Sequence, residues 1–201
     1  MKMLDLFSGI GGFSLAASWC NIETVAFCET DKFCQKVLNK NFPGIEIYED
    51  IKKLNGKEIT DKYGAIDIIC GGFPCQPFSV AGKRKGKEDD RYLWPEMLRV
   101  ISEVKPSWVV GENVTGIVSM ELGKVCSDLE AEGYEVQPLI IPACGVNAPH
   151  RRNRVWIIAN TDDLRYGRRG IHGNGEPEKQ QIYKNVKDYR DGIWGETSTS
   201  D

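Results

Sequence analysis

The segment Gly71-Gly72-Phe73-Pro74-Cys75-Gln76-Pro77-Phe78-Ser79 holds a cysteine between two prolines, directly after the apolar run Ile66-Asp67-Ile68-Ile69-Cys70. Prolines fix the backbone on either side of Cys75, and the apolar run reads as a buried strand. A buried structural thiol has no use for a stiff polar loop, so Cys75 reads as a nucleophile. Thiolate chemistry needs a depressed pKa, which a neighbouring arginine or a helix N-terminus would provide.

A second constellation precedes it. Asp5-Leu6-Phe7-Ser8-Gly9-Ile10-Gly11-Gly12-Phe13 joins the first apolar run to a helical one. Glycines there allow a tight turn and close approach of a ligand to a helix N-terminus. The spacing is not Gly-x-Gly-x-x-Gly, so a dinucleotide fingerprint is excluded. Glu29 and Asp50 follow the next two strand-like runs. An acid at the first position can accept hydrogen bonds from ribose hydroxyls, and one at the second can meet an adenine amino group. Together they point to an adenosyl ligand. With no Lys or Arg next to the glycines, a ligand without phosphates suits the loop.

These residues require a frame in which strand ends converge. The pattern predicts strands at Met3–Phe7, Thr24–Cys28, Glu46–Tyr48, Ile66–Cys70 and Trp108–Val110, with helices at Gly12–Cys20, Asp31–Asn41, Tyr92–Val104 and Ser119–Glu132. Gly133 suits a left-handed helix end. Tyr134–Ile141 and Arg154–Ala159 then follow with no helix-length segment between them, which predicts an antiparallel pair. The fold class is α/β, a doubly wound and mostly parallel Rossmann-like sheet with an antiparallel edge hairpin. In such sheets ligands bind beyond the carboxyl ends of the strands, where Cys75 and the glycine loop both fall.

Size and composition bound the reading. The 201 residues fit one domain, residues 1–161, followed by a tail at 162–201 that is rich in breakers and charges and lacks an apolar stripe. The net charge of −3 gives no whole-chain basic signature, so nucleic-acid binding must come from local patches. The cluster Lys83-Arg84-Lys85-Gly86-Lys87 through Arg91, directly after the cysteine loop, suits a mobile segment closing over phosphates. Seven scattered cysteines include no Cys-x-x-Cys pair, so neither a metal site nor a disulfide framework is expected. No run has the length of a membrane span and no signal peptide is evident; the expectation is a cytoplasmic protein.

Phe7-Ser8-Gly9-Ile10-Gly11-Gly12, Pro74-Cys75-Gln76, Glu112-Asn113-Val114 and His150-Arg151-Arg152-Asn153-Arg154, in this order, closely resemble the motifs of the cytosine-C5 DNA methyltransferases. The resemblance implies an S-adenosylmethionine-dependent enzyme acting on duplex DNA with the target cytosine flipped out, in a restriction-modification and nucleoid-associated setting. It puts the cofactor against Phe7, Gly9, Gly11, Glu29 and Asp50, with Ser8, Gly12, Ile51 and Pro74 beside them. It puts cytosine among Cys75, Glu112 and Arg154, with Arg152 orienting Glu112 or gripping a phosphate. Nucleic-acid contacts are expected from Gln76, Ser79, Lys83, Arg84, Lys85, Arg91 and Asn113. Glu112 is expected on the loop after the fifth strand, as a protonated or proton-sharing carboxyl. Arg152 and Arg154 alternate, which predicts one face of a strand for both.

The family pattern continues with a target-recognition domain, a further motif and a returning C-terminal helix, none of which is found in residues 162–201. His150 stands where the family has glutamine. The expectation is therefore a catalytic domain that is either truncated or one half of a split enzyme whose second chain supplies recognition. Two alternatives remain open: a tRNA cytosine-C5 methyltransferase, and a non-catalytic remnant that binds cofactor or nucleic acid.

Overall fold

The computed structural model describes residues 1–74 and 92–161. Seven strands form one sheet in the order β3-β2-β1-β4-β5-β7-β6. They are β1 (Lys2–Leu6), β2 (Glu23–Cys28), β3 (Glu46–Tyr48), β4 (Ile68–Gly71), β5 (Trp108–Val114), β6 (Glu135–Pro142) and β7 (Asn153–Asn160). The first five pair in parallel, and β7 enters antiparallel between β5 and β6. The doubly wound sheet with an antiparallel edge pair is thus the observed architecture. Chain direction reverses in strand order beside β1, where α1 (Gly12–Trp19) leads to β2 on one side while β4 lies on the other. This is the switch point at which an open α/β sheet forms its crevice.

Alternation along β1 separates the two faces. Leu4 and Leu6 point into the larger core, which includes Met97, Val100 and Ile101 of α4 (Trp94–Val104) and Val125, Cys126 and Leu129 of α6 (Leu122–Ala131). Met3 points the other way, into a smaller cluster with Ala17, Ile68 and Cys70. Asp5 shares that second face yet is 0% exposed. The second face is well covered near β1 and β2, but further along it Trp108, Leu139 and Ile141 remain 37–41% exposed.

Three elements depart from the sequence reading, the first being the helix expected over Ser119–Glu132, which is two short helices separated at Glu121. Helix α3 (Gly56–Tyr63) was not expected; its Asn55 cap accepts from the amides of Lys57 and Glu58, and it buries Ile59. Strand β5 continues to Val114 rather than stopping at Val110. Its parallel partner β4 ends opposite Gly111, but β7 pairs with Glu112, Asn113 and Val114 through Trp156, Val155 and Arg154. An antiparallel neighbour therefore carries polar residues that would end a strand if only the parallel ladder supported them. Helix α2 (Lys32–Asn41) is capped by Asp31, which accepts from the Cys34 amide, and the short α5 (Ile117–Met120) leads into α6. Gly133 has the expected left-handed conformation, and the Tyr134 amide closes the end of α6 on the Leu129 carbonyl.

Candidate active site and cofactor cleft

The glycine loop is shaped by backbone requirements. Phe7, Gly9 and Gly11 all have positive φ, and a Cβ on Gly11 would lie 2.5 Å from the Phe42 ring. Only glycine fits that turn. Around Gly9 and Gly12, by contrast, an added Cβ would meet nothing within 4 Å. The loop is thus packed against protein at Gly11 and open at Gly9 and Gly12. Phe7 adopts the left-handed region without a glycine's freedom, a conformation that costs on the order of 1–3 kcal/mol and clusters at ligand-binding turns.

Glu29 braces this loop. Its Oε2 accepts the Gly9 amide at 2.7 Å, and its Oε1 accepts the Asp31 amide at 2.7 Å. Gln35 donates to the Glu29 carbonyl, so the acid is fixed from its backbone as well. Ser8 donates its hydroxyl to the Asp5 carbonyl at 2.6 Å, which makes it an internal staple of the loop. Asp50 starts a short 3-10 turn and accepts the Lys52 amide through Oδ1. Its neighbour Ile51 is a core side chain, and its carbonyl accepts from Arg99.

Beyond the ends of β2 and β3 lies an open cleft of about 390 Å³ lined by Thr30, Lys32, Tyr48, Glu49, Asp50, Lys53 and Leu54. That volume lies in the range of small-molecule pockets. Two lysines line it, although sequence alone had found no cation beside the glycines; Lys32 pairs with Glu49 across the cleft. Their presence depends on β3 lying beside β2, a contact that no local pattern reveals.

Apart from that cleft, Glu112 of β5 and Arg154 of β7 meet. Arg154 Nε lies 2.7 Å from Glu112 Oε1, and both side chains are about one-quarter exposed. They share a face because Glu112 pairs with Trp156 and Val114 with Arg154 across the β5–β7 ladder. Glu112 is therefore on a strand, not on the loop expected for it. Arg152 has a φ of 36° and precedes β7, so the expected strand alternation with Arg154 does not hold. A left-handed residue breaks the two-residue period, and the common face is lost.

The Gly72–Phe73 approach to the cysteine loop lies against this pair. A Cβ on Gly72 would be 3.2 Å from Glu112 Oε2. Asn113 is 5% exposed and donates its amide to the Phe73 carbonyl at 2.8 Å, two residues before Cys75. Its Oδ1 accepts the Val114 amide. The expected nucleic-acid contact at Asn113 is thus replaced by an internal brace, because both ends of the side chain are engaged inside the protein. Pro74 follows at the last described residue of this segment. Cys75, Gln76, Ser79, Lys83, Arg84, Lys85 and Arg91 lie outside the described residues, as does the tail at 162–201.

Two buried thiols, Cys28 and Cys70, are poor candidates for the nucleophile. Burial, followed by the charges of Glu29 and Asp50, pushes Cys28 up to about 12. Burial and the adjoining Asp5 hold Cys70 well above the ordinary thiol value. Among the described residues there is no cluster able to hold a metal ion, and no helix long and apolar enough to cross a membrane.

Residues 1–200 match the family model described as C-5 cytosine-specific DNA methylase. The type II methyltransferase M.HhaI of Haemophilus parahaemolyticus is 37% identical over 169 residues, covering 82% of this chain and 50% of that protein. M1.ScrFI of Lactococcus lactis is 38% identical over 163 residues, covering 78% and 41% respectively. Among solved structures, a putative DNA modification methyltransferase from an Escherichia coli prophage superposes with a TM-score of 0.70 at 30% identity, covering 82% of this chain and 47% of that one. A Spodoptera frugiperda DNMT2 variant gives 0.69 at 26% identity, covering 82% and 51%. The chain spans about half, or less, of the length of these relatives.

Proposed function

Since this chain belongs to the C-5 cytosine-specific DNA methylase family, we propose that it carries the chemistry of DNA cytosine-C5 methylation. The observation that carries the reading is the Glu112–Arg154 pair lying against the backbone that leads into Pro74-Cys75. Chain connectivity puts Cys75 two residues after Phe73, whose carbonyl Asn113 holds beside the pair. The open backbone at Gly9 and Gly12, the braced Glu29 and the cleft at Asp50 fit S-adenosylmethionine, whose adenosyl part is a two-hydroxyl ribose with a neutral base. When bound, it supplies an electrophilic methyl group on a sulfonium sulfur.

Cytosine C5 is too poor a nucleophile to take that methyl unaided. The Cys75 thiolate adds to C6, forming an S–C bond and moving the ring's electron pair to C5 as an enamine-like carbon. C5 would then take the methyl group as the methyl–sulfonium bond breaks and the neutral thioether, S-adenosylhomocysteine, leaves; a water molecule would take the C5 proton, and the C6–S bond would break to return the thiolate. One Glu112 oxygen accepts from the exocyclic amine and the other shares a proton with N3, neutralising the charge that develops on the ring, while Arg154 orients Glu112 and offers its remaining donors to the base O2. A stacked cytosine hides C6, so the base must leave the helix.

The test is transfer of a labelled methyl group to cytosine duplexes and, in parallel, to tRNA. Label in DNA that is absent from tRNA, with a covalent adduct on a 5-fluorocytosine duplex, is the expected result. Label in tRNA alone would replace the DNA reading with the RNA one. Cofactor binding without transfer to either, in the presence of a complementing C-terminal polypeptide, would leave only a binding remnant.

A further inference from the structure

Asp5 is a charged residue in the middle of the sheet, and nothing in the chemistry above uses it. It is 0% exposed. Its Oδ2 accepts the Ser14 hydroxyl at 2.7 Å, and Ser14 in turn accepts from Thr24 at 3.0 Å. Its carbonyl accepts the Ser8 hydroxyl. Its Oδ1 is buried with no hydrogen-bond partner. Asp5 thus touches both ends of the glycine loop, Ser8 before it and Ser14 after it.

The helix that follows explains why an acid would be retained there. Helix α1 begins at Gly12 after Gly11, has no side-chain cap and carries no acidic residue in its first turn. The positive end of a helix without a cap lacks the acceptor that Ser, Thr, Asp or Asn ordinarily provides. Asp5 reaches it from the strand beneath, because the loop itself must stay glycine-rich and open.

We propose that Asp5 is a positioning residue for the cofactor loop, anchoring the start of α1 through Ser14 and the start of the loop through Ser8. The inference rests on the cofactor reading of that loop. Burial, opposed by the hydrogen bond from Ser14, raises the Asp5 carboxyl to about 7. Cys70 on β4 and Glu29 at the end of β2 are the titratable groups acting on it among the described residues, while α1 presents the Ser14 hydroxyl and amide. A carboxylate is a stronger acceptor for Ser14 than the neutral acid, so the anchor tightens as pH rises through neutrality.

Three proteins test it: the wild type, Asp5→Asn and Ser14→Ala. Asparagine keeps the shape and an acceptor for Ser14 but cannot ionise. Two readouts are needed, affinity for S-adenosylhomocysteine by calorimetry at pH 6 and pH 8, and amide hydrogen exchange at Gly9, Gly11 and Ser14 over the same range. Wild-type affinity should rise by about threefold or more from pH 6 to pH 8, and Asp5→Asn should be flat near the pH 6 value. Ser14→Ala should speed exchange at the three amides by about tenfold while melting within a few degrees of wild type. An Asp5→Asn protein that keeps the wild-type pH profile, or a Ser14→Ala protein with unchanged loop exchange, overturns the assignment. If wild type binds no S-adenosylhomocysteine at either pH, the cofactor reading fails, while exchange still decides whether Asp5 anchors the loop.

Discussion

The two regions proposed above, one for the cofactor and one for the base, are built by different means. The cofactor end comes from nearly continuous chain, residues 5–50, with Glu29, Ser8 and Asp5 bracing the glycine loop through hydrogen bonds of 2.6–2.7 Å. The base end is gathered from three distant places: Gly72–Phe73 after β4, Glu112–Asn113 on β5 and Arg154 on β7. Its integrity depends on β7 pairing antiparallel with β5 in one register. A one-residue slip would turn Arg154 to the opposite face, away from Glu112. Local turn chemistry secures the first end, and long-range register secures the second.

The sharpest separation of the two ends comes from Cys75→Ser. The serine hydroxyl is far less ionised and less nucleophilic at neutral pH, so methyl transfer should be abolished. Cofactor affinity, which belongs to the other end, should be nearly unchanged. Turnover close to wild type, in a preparation shown to be active, would remove Cys75 from the mechanism.

Next in size is Arg154→Ala, which leaves Glu112 without its guanidinium and the ring charge without a donor. Removing one such donor costs about 10²–10³-fold in kcat, with S-adenosylhomocysteine affinity expected to stay within about threefold. Arg154→Lys should not rescue it, because the contact is made through the guanidinium Nε. Steady-state kinetics on a cytosine duplex check this, and equal losses in kcat and in cofactor affinity would show that the two ends are not separable.

At the cofactor end, Glu29→Ala should weaken S-adenosylhomocysteine by about tenfold or more. A charged hydrogen bond contributes about 1.5–3 kcal/mol, and the loop loses its Gly9 brace as well. Calorimetric titration is the measurement. Unchanged affinity would show that neither the Glu29 carboxylate nor its brace on Gly9 contributes to cofactor binding.

The same contrast explains what the sequence revealed. The placement of Gly9, Gly11, Glu29 and Asp50 beyond the ends of β1, β2 and β3 is legible in the sequence because turn chemistry is local. The parallel strands and α1, α2, α4 and α6 were legible from apolar period and breakers. Helix α3 was missed because its buried residues are Gly56 and Ile59 only, too few to show a stripe. Glu112 was assigned to a loop because nothing local to Gly111-Glu112-Asn113 announces that β7 will extend the ladder there. The brace made by Asn113, expected as a nucleic-acid contact, is equally hidden from local pattern, since its partner Phe73 is 40 residues away. Asp5 had one available signal, an acid inside the otherwise apolar run Met3-Leu4-Asp5-Leu6, which is unusual for a strand buried on both faces.

The smallest expected effect concerns sequence preference at the base end. Arg151 and Arg152 directly precede β7 in the chain, and the Lys83–Arg91 cluster follows Cys75. Cations of this kind grip phosphates, which carry affinity but no sequence information. The net charge of −3 adds no long-range attraction beyond such patches. The chain by itself should therefore bind duplex DNA weakly, lose affinity steeply between about 50 and 200 mM salt, and differ by less than about threefold among duplexes of different sequence. Fluorescence anisotropy on a duplex panel at two salt concentrations measures both slopes. A preference well beyond that for one short site would mean that base-edge readout is already encoded within these 201 residues. The base end would then be a recognition surface as well as a place for chemistry, and the division between the two ends would have to be redrawn.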